Sequence, residues 1–419
     1  MRIGLLSFGG PAGQIALMHR MVVAERGWVS DTRFMHALNY CMLLPGPEAQ
    51  QLATYLGWLL HGVRGGLVAG TLFILPGLLV MLALSMLVVT FGDFDTIRGV
   101  LFGLQAATLA IVVDALARVG RRALKTAAHR ITAIAAFVAL FGFGAPFPLV
   151  IAMAAMIGLL VPSAATTADP ADAHLADPPP PSRGWYLRTI GLGVLLWLGP
   201  VAVLAAALGP THVYTQEAVF FGKMAMVTFG GAYAVLTYIA QQAVEVYGWL
   251  LPTEMIQGLA LAETTPGPLI LVLSYVGFLG GWRHAGLGAP LLGGVGGALI
   301  ATWVSFVPCF LLIFLGAPFV ERLRGNRRLA AALASITAAV VGVMASLSLW
   351  FALHVLFGDV SRWQAYGLDV PAPQWQTLDP AALALGALAM MGLLSGRLGV
   401  GPLLLLAATG GVLLRAALG

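Results

Sequence analysis

Residues 41–60 read CMLLPGPEAQQLATYLGWLL, and residues 262–281 read AETTPGPLILVLSYVGFLGG. Each lies in a long apolar run, 34–60 and 254–280, that is interrupted by Pro-Gly-Pro. Proline withholds a backbone N–H and glycine turns without steric cost, so each run is expected to be a broken or re-entrant helix rather than a plain span. The two stretches are offset by 221 residues, and the same offset carries Phe8-Gly9-Gly10 onto Phe229-Gly230-Gly231 and Gly27-Trp28 onto Gly248-Trp249. Beyond an insertion around Gly280–Pro290 the offset becomes 232, where Pro76 meets Pro308 and Gln105-Ala106-Ala107 meets Thr337-Ala338-Ala339. Ordered matches at so constant a spacing mark an internal repeat.

The solvent for this repeat is lipid. Of 419 residues, 59% are hydrophobic and only 9% charged, where a soluble domain carries about 25% charged. A membrane helix needs about 20 apolar residues. Besides the first run, apolar runs fall at 34–60, 64–91, 99–117, 131–144, 147–162, 185–208, 217–240, 254–280, 289–320, 329–357, 380–396 and 398–418, thirteen in all. The expected fold is an all-α polytopic membrane protein of about 13 transmembrane segments. Residues 1–162 form the first repeat, 163–184 a Pro/Ala/Asp-rich cytoplasmic tether, 185–208 an unmatched helix and 209–419 the second repeat. No cleavable signal peptide is visible: the first run leads into a charged stretch without a small-residue cleavage site.

Arginine sets the orientation. The two densest clusters, Arg118 to Arg130 and Arg322 to Arg328, are expected on the cytoplasmic side, with the amino terminus inside and the carboxyl terminus outside. The loop after the third run is acidic in the first half (Asp93, Asp95) and basic in the second; the next loop reverses this, with Asp359, Asp369 and Asp379 in the second half. Equivalent loops thus belong on opposite sides, and the unmatched helix at 185–208 supplies the extra crossing. Six, one and six segments in inverted repeats are the signature of secondary transporters, whose site lies at the repeat interface.

The duplicated breaks are the leading substrate-site candidates: Ser7, Phe8, Gly9, Gly10, Pro11, Pro45, Gly46 and Pro47 in the first half, and Thr228, Phe229, Gly230, Gly231, Thr265, Pro266, Gly267 and Pro268 in the second. Irregular backbone survives at membrane depth only where protein covers it or a wet cavity borders it. Freed N–H groups at a half-helix N-terminus favour an anion. Lys223 precedes Phe229 by six residues, and Arg2 is its counterpart, so each half places a cation ahead of Phe-Gly-Gly. Glu48, Glu263 and Asp114 are intramembrane carboxylates and candidates for proton coupling. Gln50, Gln51 and Thr264 add neutral hydrogen-bonding groups. Gly62, Gly66 and Gly70, Gly99 and Gly103, and Gly293 and Gly297 read as close helix-packing positions.

Other classes are disfavoured. Cys41 and Cys309 give neither a disulfide framework nor zinc spacing. The chain has no HExxH, GxSxG or GxxxxGK motif, so no catalytic residue, metal or cofactor is assigned. Its 20 arginines and two lysines lie in short clusters between apolar runs, which excludes a nucleic-acid face.

FGGP at 8–11, RGWV at 26–29, LLPGP at 43–47 and FILP at 73–76, with FGG at 229–231 and TTPGP at 264–268, resemble the chromate ion transporter family in its long two-domain form. The resemblance covers nearly the whole chain. It implies a bacterial inner-membrane carrier that exports chromate, and a role for Gly9, Gly10, Pro11, Pro45, Gly46 and Pro47 as matched positions. The second half departs from the pattern, with Ala232 where the first has Pro11. The expected partners are chromate or a sulfate-like oxyanion and the lipid bilayer. A sulfate carrier and an anion channel are the alternatives, and assembly as a homodimer is open.

Overall fold

The computed structural model describes residues 2–6, 10–160, 182–229, 232–317, 327–365, 367–396 and 398–418. Helices follow the apolar runs because a backbone in lipid must satisfy its polar groups within its own segment. In chain order they are α1 (Arg2–Leu6), α2 (Gly10–His19), α3 (Asp31–Leu43), α4 (Glu48–Phe91), α5 (Asp95–Ala123), α6 (Ala127–Phe137), α7 (Phe147–Leu160) and α8 (Arg183–Leu208). The second half continues with α9 (Val213–Val227), α10 (Ala232–Ala240), α11 (Pro252–Thr264), α12 (Val272–His284), α13 (Pro290–Gly316) and α14 (Arg327–Leu356). A hairpin of β1 (Val360–Ala365) and β2 (Leu368–Pro373) precedes α15 (Pro380–Leu394) and α16 (Val400–Leu418).

Among the described residues, six helices are long and apolar enough to cross a membrane: Glu48–Phe91, Asp95–Ala123, Arg183–Leu208, Pro290–Gly316, Ala330–Leu356 and Val400–Ala417. The chain is a helical, multi-pass membrane protein. Large side chains face outward where a soluble protein would bury them. On α8 no residue is buried, and Leu187 is 72% exposed. The runs at 34–60 and 64–91 meet in one continuous element, α4, which turns back on itself at His61 and Gly62. Gly62, expected as a packing glycine, is that turn, with φ +62. The tether expected at 163–184 falls mostly outside the described residues, and α8 already begins at Arg183 behind the capping hydroxyl of Ser182.

The repeat recurs in local conformation. Short π-helical turns occupy Arg20–Ala24 and Gln241–Val246. Gly27 and Gly248 follow them with φ +59 and +64. The N–H of Trp28 then bonds the Val22 carbonyl at 2.9 Å, and that of Trp249 the Ala243 carbonyl at 2.8 Å. The environments differ: Trp28 is 53% exposed and Trp249 only 1%.

Two compact units divide the chain, each drawing segments from both repeats. The first comprises Met1–Leu82, Pro162–Ala232 and Thr265–Ala331. Its core includes Met18, Phe34, Tyr40, Leu52, Tyr55, Phe73, Ile313 and Phe314. It holds two matched helical hairpins. In α4, a Cβ on Gly57 would collide with the Gly65 carbonyl and stand 2.6 Å from the Ala69 methyl. In the α12–α13 hairpin, a Cβ on Gly277 would stand 2.6 Å from the Gly297 carbonyl and 2.9 Å from the Ala301 methyl. Helix α8 packs on α13 through reciprocal indole bonds, Trp197 to the Val304 carbonyl at 3.0 Å and Trp303 to the Leu196 carbonyl at 2.8 Å.

The second unit comprises Ala83–Val161, Tyr233–Thr264 and Ala332–Gly419. Gly99, Gly103 and Gly411 let α5 and α16 pack backbone to backbone, and Gly342 does the same for α14 against α6 at Ala133. The β1–β2 hairpin is a local departure from the all-α expectation. Its register runs from Val360 opposite Pro373 to Ala365 opposite Leu368, with Gly367 at φ +80 in the turn. Arg362 ties it down, reaching Asp369 at 2.8 Å and Glu245 at 2.5 Å. Burial lowers the Arg362 pKa, but these two carboxylates outweigh it, and the net shift is upward.

Candidate functional site

Both Pro-Gly-Pro segments are breaks between helices, at buried positions of the first unit. Helix α3 ends at Leu43 and α4 starts at Glu48; α11 ends at Thr264, and one 3-10 turn at Leu269–Leu271 leads into α12. Gly46 has φ +124 and Gly267 has φ +101, backbone that L side chains rarely adopt. That explains why glycine stands between the prolines in both halves.

Each break packs against the other repeat. A Cβ on Gly46 would stand 2.7 Å from the Cys309 Sγ on α13, and one on Gly267 would stand 3.5 Å from the Gly77 Cα on α4. Cys309 and Gly77 are related by the offset of 232, as Gly46 and Gly267 are by 221, so the two contacts are pseudo-symmetric. Each directly follows the repeated in-helix proline, Pro308 or Pro76.

The breaks are also bonded crosswise. The Gly46 N–H donates to the Thr228 carbonyl at 2.7 Å, next to the second Phe-Gly-Gly. The Gln14 Nε2 donates to the Gly267 carbonyl at 2.5 Å, from the helix that starts at Gly10. Gln51 Nε2 donates to the Pro45 carbonyl at 2.7 Å. Among the described residues, the buried Oε1 atoms of Gln50 and Gln51 have no hydrogen-bond partner. The first unit therefore gathers helix starts at Gly10, Glu48 and Leu269, whose leading amides have no partner in their own helix.

The other expected site residues fall as follows. Ser7, Phe8, Gly9, Gly230 and Gly231 lie outside the described residues. Pro11 is the second residue of α2. Thr228 is fully buried, its hydroxyl donating to the Met224 carbonyl at 2.7 Å, and Phe229 is half-buried. Thr265, Pro266 and Pro268 are buried. Glu48 is half-buried in the first turn of α4. Arg2 and Lys223 are both exposed.

Glu263 and Asp114 belong to the second unit. Glu263 accepts a hydrogen bond from the Tyr233 hydroxyl. Asp114 pairs with Arg118 at 3.2 Å, and Arg118 lies within electrostatic reach of Tyr233 and Glu263. Tyr233, Gln14 and the role of Arg118 escaped the sequence reading. Tyr233 and Gln14 belong to no duplicated motif, and Arg118 reads as one more topology arginine. Cys41 and Cys309 are free and buried. Among the described residues, no group of three or more His, Cys, Asp or Glu could hold a metal ion.

The duplicated helix breaks are buried and bonded crosswise inside a multi-pass helical membrane protein. The chain matches the Chromate transporter family over residues 1–159 and 215–414, and it belongs to that family. The matched regions leave out residues 160–214, among them α8. The chain is 31% identical over 361 residues to the chromate transport protein of Pseudomonas aeruginosa, covering 83% of this chain and 78% of that one. It is 27% identical over 362 residues to the chromate transport protein of Cupriavidus metallidurans, covering 82% and 79%. It is 26% identical over 348 residues to the probable chromate transport protein of Synechococcus elongatus, covering 82% and 81%. No solved structure matches significantly.

Proposed function

We propose that this protein is a secondary carrier that exports chromate across the bacterial inner membrane by alternating access and so confers chromate resistance. The observation that carries this reading is the crosswise bonding of the duplicated breaks, Gly46 to Thr228 and Gln14 to Gly267. Membership of the chromate transporter family, and relatives named for chromate transport, support the substrate. A tetrahedral dianion suits helix N-termini, where free amides and the helix dipole favour negative charge. The proposed binding groups are Ser7 to Pro11, Pro45 to Pro47, Thr228 to Gly231 and Thr265 to Pro268, with Lys223 and Arg2 as supporting cations. Glu48, Glu263 and Asp114 are proposed to carry protons.

Moving one charge across the membrane is worth about 2.3 kcal/mol per 100 mV, so a dianion leaving an inside-negative cell gains roughly twice that. Efflux therefore runs on the membrane potential, with proton antiport as a further drive. The inverted arrangement of the repeats, with a cytoplasmic amino terminus and a periplasmic carboxyl terminus, belongs to the same proposal.

The test is uptake of labelled chromate into everted vesicles, with potential and pH gradient varied separately and sulfate as competitor. Saturable uptake that rises with an inside-positive vesicle potential is expected. No uptake would sink the reading, non-saturating flux would make the protein a channel, and complete competition by sulfate would broaden the substrate to oxyanions. Lys223 is exposed, so Lys223→Ala disturbs no packing. It is expected to abolish uptake while leaving the protein in the membrane.

A further inference from the structure

Helix α9 carries a carboxylate that the duplicated breaks do not account for. Glu217 is 0% exposed, and among the described residues neither of its oxygens has a hydrogen-bond partner. Its Oε2 stands 3.0 Å from where a Cβ on Gly297 would lie. The carboxyl group therefore rests against bare backbone of α13, at the glycine whose carbonyl meets Gly277 of α12.

Among the described residues, the helices packed most extensively on α9 are α8, α12 and α13. Between Pro290 and Gly316, α13 has no Asp, Glu, Lys, Arg or His, and its one thiol is Cys309. Helix α12 has Tyr275 and then Arg283 and His284 in its last turn. Helix α8 has Arg183, Tyr186 and Arg188 near its start. On α9 itself, Tyr214 lies within electrostatic reach, but its hydroxyl donates to the Gly293 carbonyl at 2.9 Å. Lys223 is exposed. None of these forms an ion pair or hydrogen bond with Glu217.

An ionised carboxylate removed from water without donor or counter-cation is strongly destabilised even after the surroundings relax. Such a group takes up a proton instead. We propose that Glu217 is a proton-binding site: the carboxylate takes one proton to become the acid when α9 opens to one side, and returns that proton when it opens to the other. The packing of α9 on the α12–α13 hairpin then encloses the loaded, neutral form. This rests on the carrier reading, and adds to it a proton-binding residue outside the duplicated breaks and outside the carboxylates named above.

Two measurements test it. Infrared spectra of the purified protein should show a carboxylic-acid C=O band that Glu217→Gln removes. Loss of a carboxylate band in its place would overturn the proposal. In proteoliposomes, Glu217→Gln should keep chromate counterflow while chromate flux driven by a pH gradient falls about tenfold or more. Undiminished pH-driven flux would overturn it. Glu217→Asp, which keeps the acid, should keep an acid band and recover part of the pH-driven flux. Should neither variant yield folded protein by size-exclusion chromatography, Glu217 is a packing residue and the proposal fails. Absence of chromate counterflow in the wild type would instead defeat the carrier reading, and the infrared result would still stand by itself.

Discussion

The single residue that separates the two breaks is the glycine between the prolines. Gly46 and Gly267 share a left-handed backbone, and forcing an L side chain into such a conformation costs roughly 1–3 kcal/mol. Their surroundings differ. A Cβ on Gly46 would stand 2.7 Å from both the Cys309 Sγ and the Gln51 Nε2, whereas on Gly267 the nearest atom would be the Leu271 Cδ1 at 3.3 Å. Gly46→Ala is therefore expected to destabilise the protein more than Gly267→Ala, read as a larger drop in the thermal unfolding midpoint in detergent. Cys309→Ala should recover part of the Gly46→Ala loss. Equal losses for the two glycine variants would show that backbone strain alone decides. Both glycines were legible as breaks from Pro-Gly-Pro. The crowding at Gly46 was not, because Cys309 lies more than half the chain away and nothing in its local sequence marks it as a neighbour.

At the scale of elements, helices were the easily read part and the β1–β2 hairpin the unread part. A long apolar run has one solution in lipid, since its backbone must bond internally. Residues 360–373 lack such a run, and they pair because Gly367 permits the turn and Arg362 joins the strands to the π-helical turn at Glu245. Arg362 is 48% exposed in its side chain, so its ion pairs are worth about 0–1 kcal/mol. Arg362→Ala should leave global stability nearly unchanged but speed amide hydrogen exchange in β1 and β2. Unchanged exchange there would mean that the strand pairing holds the hairpin without the arginine. The π-helical turns at 20–24 and 241–246 were likewise unread, although the Gly-Trp pair after each was recognised as a repeat.

For the whole molecule, inverted repeats predict opposite faces for equivalent loops. Single cysteines placed in 91–98 and 354–380 should react with a membrane-impermeant thiol reagent from the periplasmic side, and those in 118–130 and 322–328 only from the cytoplasmic side. A native background with Cys41 and Cys309 replaced, both being buried, keeps the readout clean. Labelling of equivalent loops from one side would refute the inversion and leave only the repeat. The sequence by itself determined the solvent, the helices, the duplication and the helix breaks, because each follows from local composition and from motifs recurring at constant spacing. Tertiary structure alone decided that each break packs beside the other repeat's in-helix proline, that Gln14 and Thr228 bond the breaks crosswise, and that Tyr233 meets Glu263. It also decided that Glu217 is buried with no hydrogen-bond partner among the described residues while Lys223 is exposed on the same helix. The physical reason is that burial and pairing belong to what packs around a side chain. On α9, a buried acid and an exposed cation lie six positions apart, and only the neighbouring helices tell them apart.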